Sequence, residues 1–214
     1  MDLLLLFDID GTLLLSDRQG AKAMQEAGKR VVGDHFTLAD VEFAGRLDPL
    51  IWADGARLAG VDADGALQER FRATYAEALQ RRLDETHAAH TLPGVDVLLA
   101  RLEQEEDVTL GLLTGNFPET GGVKLRGAGL DPERFAVHAW ASDAPTRRDL
   151  VPVARARYEE LRGTAIDPKQ VVVIGDTIHD VDCAHHHGCV AIAVGTGPSF
   201  DRDDLLAHEP ELFL

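Results

Sequence analysis

The chain has 214 residues, enough for one large domain or for a core with a smaller insert, and its 45% hydrophobic content can fill a substantial core. Its 21 basic and 37 acidic residues give a formal net charge of −16, which disfavours binding to nucleic acid and to anionic membrane surfaces. Since its two cysteines form no metal-ligand or disulfide spacing and its amino terminus lacks an export signal, we expect a cytoplasmic protein without nucleic-acid or membrane partners.

The first predicted element is a strand over residues 3–7 that runs directly into Asp8 and Asp10. An unbroken apolar run of this kind suits a strand covered on both faces in a parallel sheet. Ligands in such sheets bind at the carboxyl ends of the strands. Side chains two residues apart on an extended backbone point the same way, so both carboxylates can act on one ion or one substrate. A structural turn is the alternative, because Asp and Gly are common in turns.

The next part of the chain, residues 16–90, predicts helices and little strand. Apolar residues recur at helical spacing over residues 21–28, 49–58 and 67–83, and in the third helix Phe71, Tyr75 and Leu79 lie four apart. Asp62 to Gly65 supply capping and turn residues before that helix. We therefore predict an all-helical cap over residues 16–90, inserted into a core made of residues 1–15 and 91–214.

From residue 92 onward, predicted helices alternate with apolar strands. Strands are expected over 108–113, 171–174 and 190–194, the last being the final strand, with a minor strand over 137–141. Helices are expected over 95–102, 118–128 and 150–161 and through residue 184. This order predicts an α/β fold with a doubly wound, Rossmann-like parallel sheet and right-handed crossovers. The cap interrupts that core after its first strand and so lies over the strand ends, like a lid.

Two later strands also end in polar residues. Thr114-Gly115-Asn116 follows residues 108–113, where a hydroxyl and free backbone N–H groups can grip phosphoryl oxygens; a helix N-cap is the alternative. Asp176 follows the strand over 171–174, and Asp180 lies four residues later. Carboxylate oxygens suit Mg²⁺; Asp176 would be a ligand, directly or through water, and Asp180 would order the coordination shell. An acidic helix start explains a single aspartate but not this spacing.

The three polar strand ends together resemble the motifs of the haloacid dehalogenase-like superfamily. The segment from Asp8 to Leu13 is similar to its first motif, Thr114 to its second, and Gly175-Asp176 with Asp180 to its closing G-D-x-x-x-D motif. The resemblance implies a Mg²⁺-dependent phosphomonoester hydrolase that acts on a small phosphorylated metabolite. It further implies the roles of the site residues. Asp8 would be the nucleophile and Asp10 the acid and base; the Asp8 side chain, the Asp10 backbone carbonyl and Asp176 would be the metal ligands. Thr114, Gly115 and Asn116 would lie around the phosphoryl oxygens.

The cation of the site is where this chain departs from the family pattern. The family normally places a lysine in its third motif, but residues 142–150 contain none. Arg147 is our candidate, because an arginine at a helix start can clamp a phosphate bidentately, and Arg148 is the close alternative. Lys124 lies about two turns into the helix after Thr114, and we expect it to be structural.

In the cap, the segment from Phe43 to Asp48 resembles the G-R-T-D-like substrate loop of phosphoglycolate phosphatase-like members, with Leu47 in place of the hydroxyl residue. The resemblance makes Arg46 a candidate for binding a substrate carboxylate, and a surface position is equally open. Three other functions stay open: a sugar phosphomutase of the same capped type, a 2-haloacid dehalogenase, and a non-catalytic binding protein that kept the fold. Both a monomer and a homodimer are compatible with the sequence.

Overall fold

A computed structural model describes residues 2–214, which fold around a six-stranded parallel sheet. Its strands are β1 (Leu3–Phe7), β4 (Val108–Leu113), β5 (Val137–Ala139), β6 (Val171–Gly175), β7 (Val190–Ala193) and β8 (Leu212–Phe213). They lie in the order β5-β4-β1-β6-β7-β8, and every pairing is parallel. The strand order reverses at β1, which lies between β4 and β6. The predicted doubly wound α/β core is thus confirmed.

The edges of the sheet differ from the prediction in two places. The strand over residues 190–193 is not the last, because β8 pairs beyond it after the short helix α8 (Arg202–Leu206). Two residues are too few to show a strand pattern in the sequence. At the other edge β5 ends at Ala139, since the N–H of Trp140 donates to the Asp143 carboxylate and that of Ala141 donates to the Asn116 carbonyl.

Helices cover both faces of the sheet. The helices α4 (Val95–Leu102) and α5 (Pro118–Gly127) pack on one face, and α6 (Leu150–Arg162) and α7 (Ile178–His186) pack on the other. The central strand β1 contributes to both layers, with Leu4 and Leu6 in the core under α6 and α7 and Phe7 in the core under α4 and α5. The unbroken apolar run of this strand is therefore explained by burial on two faces.

The cap consists of α1 (Gln19–Val32), α2 (Asp48–Leu58) and α3 (Gly65–Thr86) around a hydrophobic cluster that also includes Phe117 and Val123 of the α/β core. Four aromatic rings, those of Phe36, Trp52, Phe71 and Tyr75, stack in sequence with centroid separations of 5.8, 4.1 and 5.8 Å. Stacked rings of this kind add to the energy of burying their area. The predicted buried face of α3 is confirmed, and Asp64 caps this helix by accepting a hydrogen bond from the Leu67 N–H.

The chain passes between core and cap through a small antiparallel ribbon. Its strands are β2 (Leu14–Leu15) and β3 (His90–Thr91). Beside the ribbon, Asp17, Arg18 and His87 have left-handed backbone with φ of 47°, 60° and 50°, which is uncommon outside glycine. These residues mark where the chain enters α1 and leaves α3. Among the helices of residues 2–214, none is both long and apolar enough to cross a membrane.

Candidate active site

The carboxyl ends of β4, β1 and β6 lie side by side, because Phe7 pairs with both Leu112 and Ile174 in parallel register. The polar residues that follow each strand therefore meet at one edge of the sheet. A cavity of about 620 Å³ lies between that edge and the cap. Its walls include Asp8, Asp10, Gly115, Asn116, Lys124, Arg147 and Asp176 of the core, and Gly20, Arg46, Asp48 and Tyr75 of the cap.

Asp8 is paired with Arg147. One guanidinium nitrogen, Nη2 of Arg147, lies 2.9 Å from Oδ2 of Asp8 and 2.6 Å from Oδ1 of Asp180. All three side chains are at most 8% exposed, so the pairs are screened little by water. Burial raises the pKa of Asp8, while the Arg147 cation acts in the opposite direction. Arg148, the alternative cation, instead pairs with Asp182 on the surface at 2.6 Å.

Asp176 completes a group of three buried carboxylates. One oxygen each of Asp8, Asp176 and Asp180 lies within 4.8 Å of the others. Burial, together with the charges of Asp8 and Asp180, raises the pKa of Asp176 to about 8. Three carboxylates and the single guanidinium of Arg147 leave a net negative charge, and hard oxygen donors in that state fit Mg²⁺.

Small neighbours keep these carboxylates in place. Gly11 has φ of +80°, and a Cβ at this position would overlap the Asp176 carboxylate. The Thr12 hydroxyl donates to Asp176 at 3.2 Å. Asp180 accepts from Arg147 on Oδ1 and from the N–H and hydroxyl of Thr177 on Oδ2, at 3.1 and 2.7 Å. With both oxygens engaged by protein donors, Asp180 suits an orienting position better than direct ligation.

The second strand end brings Gly115 and Asn116 to the wall of the cavity, and Thr114 lies buried beside them. Thr114 is fully buried, and the Asn116 amide donates to its hydroxyl oxygen at 2.9 Å. Gly115 has a different neighbour: a Cβ here would overlap the backbone carbonyl of Arg46 from the cap. Its own carbonyl accepts a 2.7 Å hydrogen bond from the N–H of Asp48. Gly115 therefore lets the cap approach the core closely.

Lys124, which we expected to be a structural residue, lines the cavity. Its Nζ is 2.5 Å from Oδ2 of Asp10 and 2.6 Å from Oδ1 of Asn116, and its side chain is 6% exposed. The helical rise places its Cα two turns from the strand end, but Cα–Cβ bonds in a helix tilt toward the N-terminus. A long lysine side chain therefore reaches back to the cavity. Its place on the buried face of α5 is the signal that could have revealed it.

The cap loop before α2 contacts the core beside Asp8. The carbonyl of Gly45 accepts a hydrogen bond from Nη1 of Arg147 at 3.2 Å. Arg46 lines the cavity, but its guanidinium pairs with Asp54 of the cap at 2.8 Å. A substrate-binding position and a surface position were both open for Arg46. The structure places Arg46 in the wall of the cavity, where its guanidinium is already paired with Asp54.

Asp48 was missed as a site residue by the sequence analysis. It is buried at the junction of cap and core, where its Oδ2 accepts from the N–H of Phe117 at 3.0 Å and the hydroxyl of Thr120 at 3.3 Å. Burial raises its pKa to about 6. The loop resemblance includes Asp48, but nothing local shows that it is buried, because its partners lie about 70 residues away in the chain.

Comparison with known proteins decides the family. The family model for haloacid dehalogenase-like hydrolases matches residues 3–188 of this chain. The chain belongs to the haloacid dehalogenase-like hydrolase family. The resemblance drawn from the three strand ends is thus confirmed. The two cysteines of this family member are buried and unpaired, in keeping with a packing role.

Two kinds of curated relative resemble parts of this hydrolase. A phosphoglycolate phosphatase of Synechococcus elongatus is 32% identical over 140 residues, which cover 64% of this chain and 61% of the relative. Tyrosine-protein kinase PtkA of Mycobacterium tuberculosis is 34% identical over 113 residues, 53% of this chain and 36% of the kinase. The matches thus span less than two thirds of the length of these relatives.

Solved structures share the complete fold. CbbY from Rhodobacter sphaeroides in complex with phosphate aligns over 100% of this chain and 94% of its own, with a TM-score of 0.75 and 17% identity. A hydrolase from Pseudomonas syringae covers 99% and 93%, with a TM-score of 0.71 and 21% identity. At such low identity these similarities establish the capped α/β architecture and nothing finer.

Proposed function

We propose that this chain is a Mg²⁺-dependent phosphomonoester hydrolase that acts on a small phosphorylated metabolite through an aspartyl-phosphate intermediate. The observation that carries the proposal is the placement of Asp8, which is buried beside the Arg147 cation and shares a cavity with Asp10 and Asp176. A nucleophile, an acid–base group and a cation are the groups that covalent phosphoryl transfer requires.

In the first step, an Asp8 carboxylate oxygen attacks phosphorus, and the bond from phosphorus to the leaving oxygen breaks. Asp10 gives its proton to that oxygen, so the product leaves as a neutral alcohol. Thr114 and Arg147 would orient the remaining phosphoryl oxygens so that the leaving oxygen lies in line with the attacking oxygen of Asp8. The burial of Asp8 favours this step, because a poorly solvated carboxylate is a stronger nucleophile once its charge is balanced by Arg147.

In the second step, Asp10 takes a proton from water, and the water oxygen attacks phosphorus. The bond from phosphorus to Asp8 then breaks, which releases inorganic phosphate and regenerates the carboxylate. Asp8, the Asp10 carbonyl and Asp176 would hold Mg²⁺, with Asp180 and Thr12 orienting them. When bound, this ion supplies positive charge that offsets the charge of the phosphoryl group.

The competing functions are separated by what they need. A dehalogenase attacks carbon and needs neither Mg²⁺ nor an acid–base group two residues after its nucleophile, so Asp10 and the Asp176 group favour the phosphatase. A sugar phosphomutase of this fold depends on a bisphosphate activator. The phosphoglycolate phosphatase relative supports a phosphatase and makes 2-phosphoglycolate the first substrate to try.

The test is a Mg²⁺-dependent screen of phosphorylated metabolites that includes 2-phosphoglycolate and small sugar phosphates. We expect release of inorganic phosphate that EDTA abolishes, and no turnover by Asp8→Asn. Asp182→Asn is the matched control, because Asp182 is a nearby aspartate that pairs with Arg148 outside the cavity. Full turnover by Asp8→Asn would overturn the proposal. So would activity on 2-haloacids that survives EDTA, or a dependence on added bisphosphate.

A further inference from the structure

The ammonium group of Lys124 is the second buried cation of the cavity, and the mechanism above does not use it. It is enclosed by Asp10, by Asn116 and by α1 of the cap, where a Cβ added to Gly20 would lie 3.2 Å from Nζ. Burying a lysine is unfavourable unless its charge is paired. An apolar residue would serve the packing of α5 without that penalty, so the position calls for an explanation beyond packing.

Lys124 fixes the orientation of the Asn116 side chain. The Asn116 Oδ1 accepts from Lys124 at 2.6 Å, so its amide nitrogen must face the opposite way. There the amide donates to Oδ2 of Asp10 and to Oγ1 of Thr114, both at 2.9 Å. Since a lysine ammonium can only donate, the amide cannot flip without placing its own N–H groups against the cation.

Two donors therefore converge on one oxygen of Asp10. Lys124 and Asn116 both donate to Oδ2, at 2.5 and 2.9 Å. Within residues 2–214, no side chain donates a hydrogen bond to the other oxygen, Oδ1. The Asp10 side chain lines the cavity and is 41% exposed. The carboxylate is thus held by Oδ2, and the side chain lines the cavity.

We propose that Lys124 is a positioning residue for the acid–base step. It holds Oδ2 of Asp10, directly and through Asn116, so that Oδ1 exchanges the proton with the leaving oxygen. This inference rests on the proposed phosphatase reaction, and it predicts that loss of Lys124 damages proton transfer rather than the attack by Asp8.

The leaving group separates those two effects. An alkyl phosphate such as 2-phosphoglycolate loses an alkoxide that must be protonated, whereas p-nitrophenyl phosphate loses a stable phenolate that needs no proton. We expect Lys124→Met to lower kcat/KM for the alkyl phosphate on the order of 100-fold, which is the usual contribution of general acid catalysis. For p-nitrophenyl phosphate, we expect kcat/KM to fall less than about tenfold. Asp10→Asn should show the same split. Arg126→Met, which removes an exposed cation from the same helix, is the control and should retain activity.

If Lys124 were purely structural, its replacement would lower kcat/KM for both substrates by the same factor. That result would overturn the inference. Undiminished hydrolysis of the alkyl phosphate would also overturn it. A crystal structure of Lys124→Met tests the same point without turnover: we expect the Asp10 carboxylate to leave its 2.9 Å contact with Asn116, and an unmoved Asp10 would contradict the proposal. If the unmodified protein hydrolyses neither ester, the proposed function fails, and that crystal structure still decides the role of Lys124.

Discussion

Replacing Asp48 by asparagine tests whether an ionisable group is buried where the cap meets the core. Both hydrogen bonds that the side chain of Asp48 accepts, from Phe117 and Thr120, end on the same oxygen, Oδ2. The oxygen of an asparagine can take that place. The substitution therefore keeps the shape and both hydrogen bonds and removes only the titration.

The size of the expected change in unfolding free energy follows from the pKa of Asp48. Burial raises the pKa of Asp48 from its ordinary value of 3.8 to about 6. Because the folded-state pKa lies above the unfolded one, the stabilising contribution of the bound proton is fully present below about pH 4 and is lost as the pH rises through about 6. At about 1.4 kcal/mol per unit, the shift corresponds to about 3 kcal/mol of unfolding free energy.

Urea unfolding of the two proteins side by side, from about pH 4 to about pH 7, measures this contribution. Other titrating groups cancel in the comparison. We expect the stability of Asp48→Asn relative to the unmodified protein to increase across this range by up to about 3 kcal/mol. Parallel stability curves would refute the reasoning, since they would mean that Asp48 titrates alike in the folded and unfolded chains.

Two further substitutions test the core cation and the contact between cap and core. In metal-free buffer, Arg147→Met should lower the free energy of unfolding by about 3–5 kcal/mol, because it leaves Asp8 and Asp180 buried without their partner. Saturating Mg²⁺ should restore part of that loss in urea unfolding, and an equal loss with and without Mg²⁺ would contradict this account. Gly115→Ala should force the Arg46 carbonyl away from the core, lower kcat/KM on the order of 100-fold and speed limited proteolysis of the cap loop. Unchanged turnover and proteolysis would show that the cap tolerates the added methyl group.

The core of the fold was predictable because its signals are local and long. β1, β4 and β6 are mostly apolar strands of at least five residues, and buried strands of that length stand out from their flanking turns. β8 was not predictable, since a two-residue strand carries no periodicity and forms only because the chain after α8 returns to the free edge of β7. Tertiary contact, rather than local preference, determines such an edge strand.

The residues of the site were predictable where they lie directly beside the end of a strand. Asp8, Thr114 and Asp176 each follow a strand directly, and parallel strands bring such residues together. The position of the Lys124 side chain was misjudged, because the rise along its helix was considered without the direction in which the side chain points. Asp48 ends the segment that resembles a substrate loop, but its burial could not be predicted, because its environment is created by the docking of two units that are far apart in the sequence.

The cap contacts the core through groups that also serve the cavity, which couples its position to the chemistry. The carbonyl of Gly45 accepts from Arg147, the same guanidinium that pairs with Asp8, so lifting the cap removes one of the bonds that fix this cation. The docked cap also encloses Lys124 under Gly20, so the contact between cap and core completes the arrangement that holds Asp10.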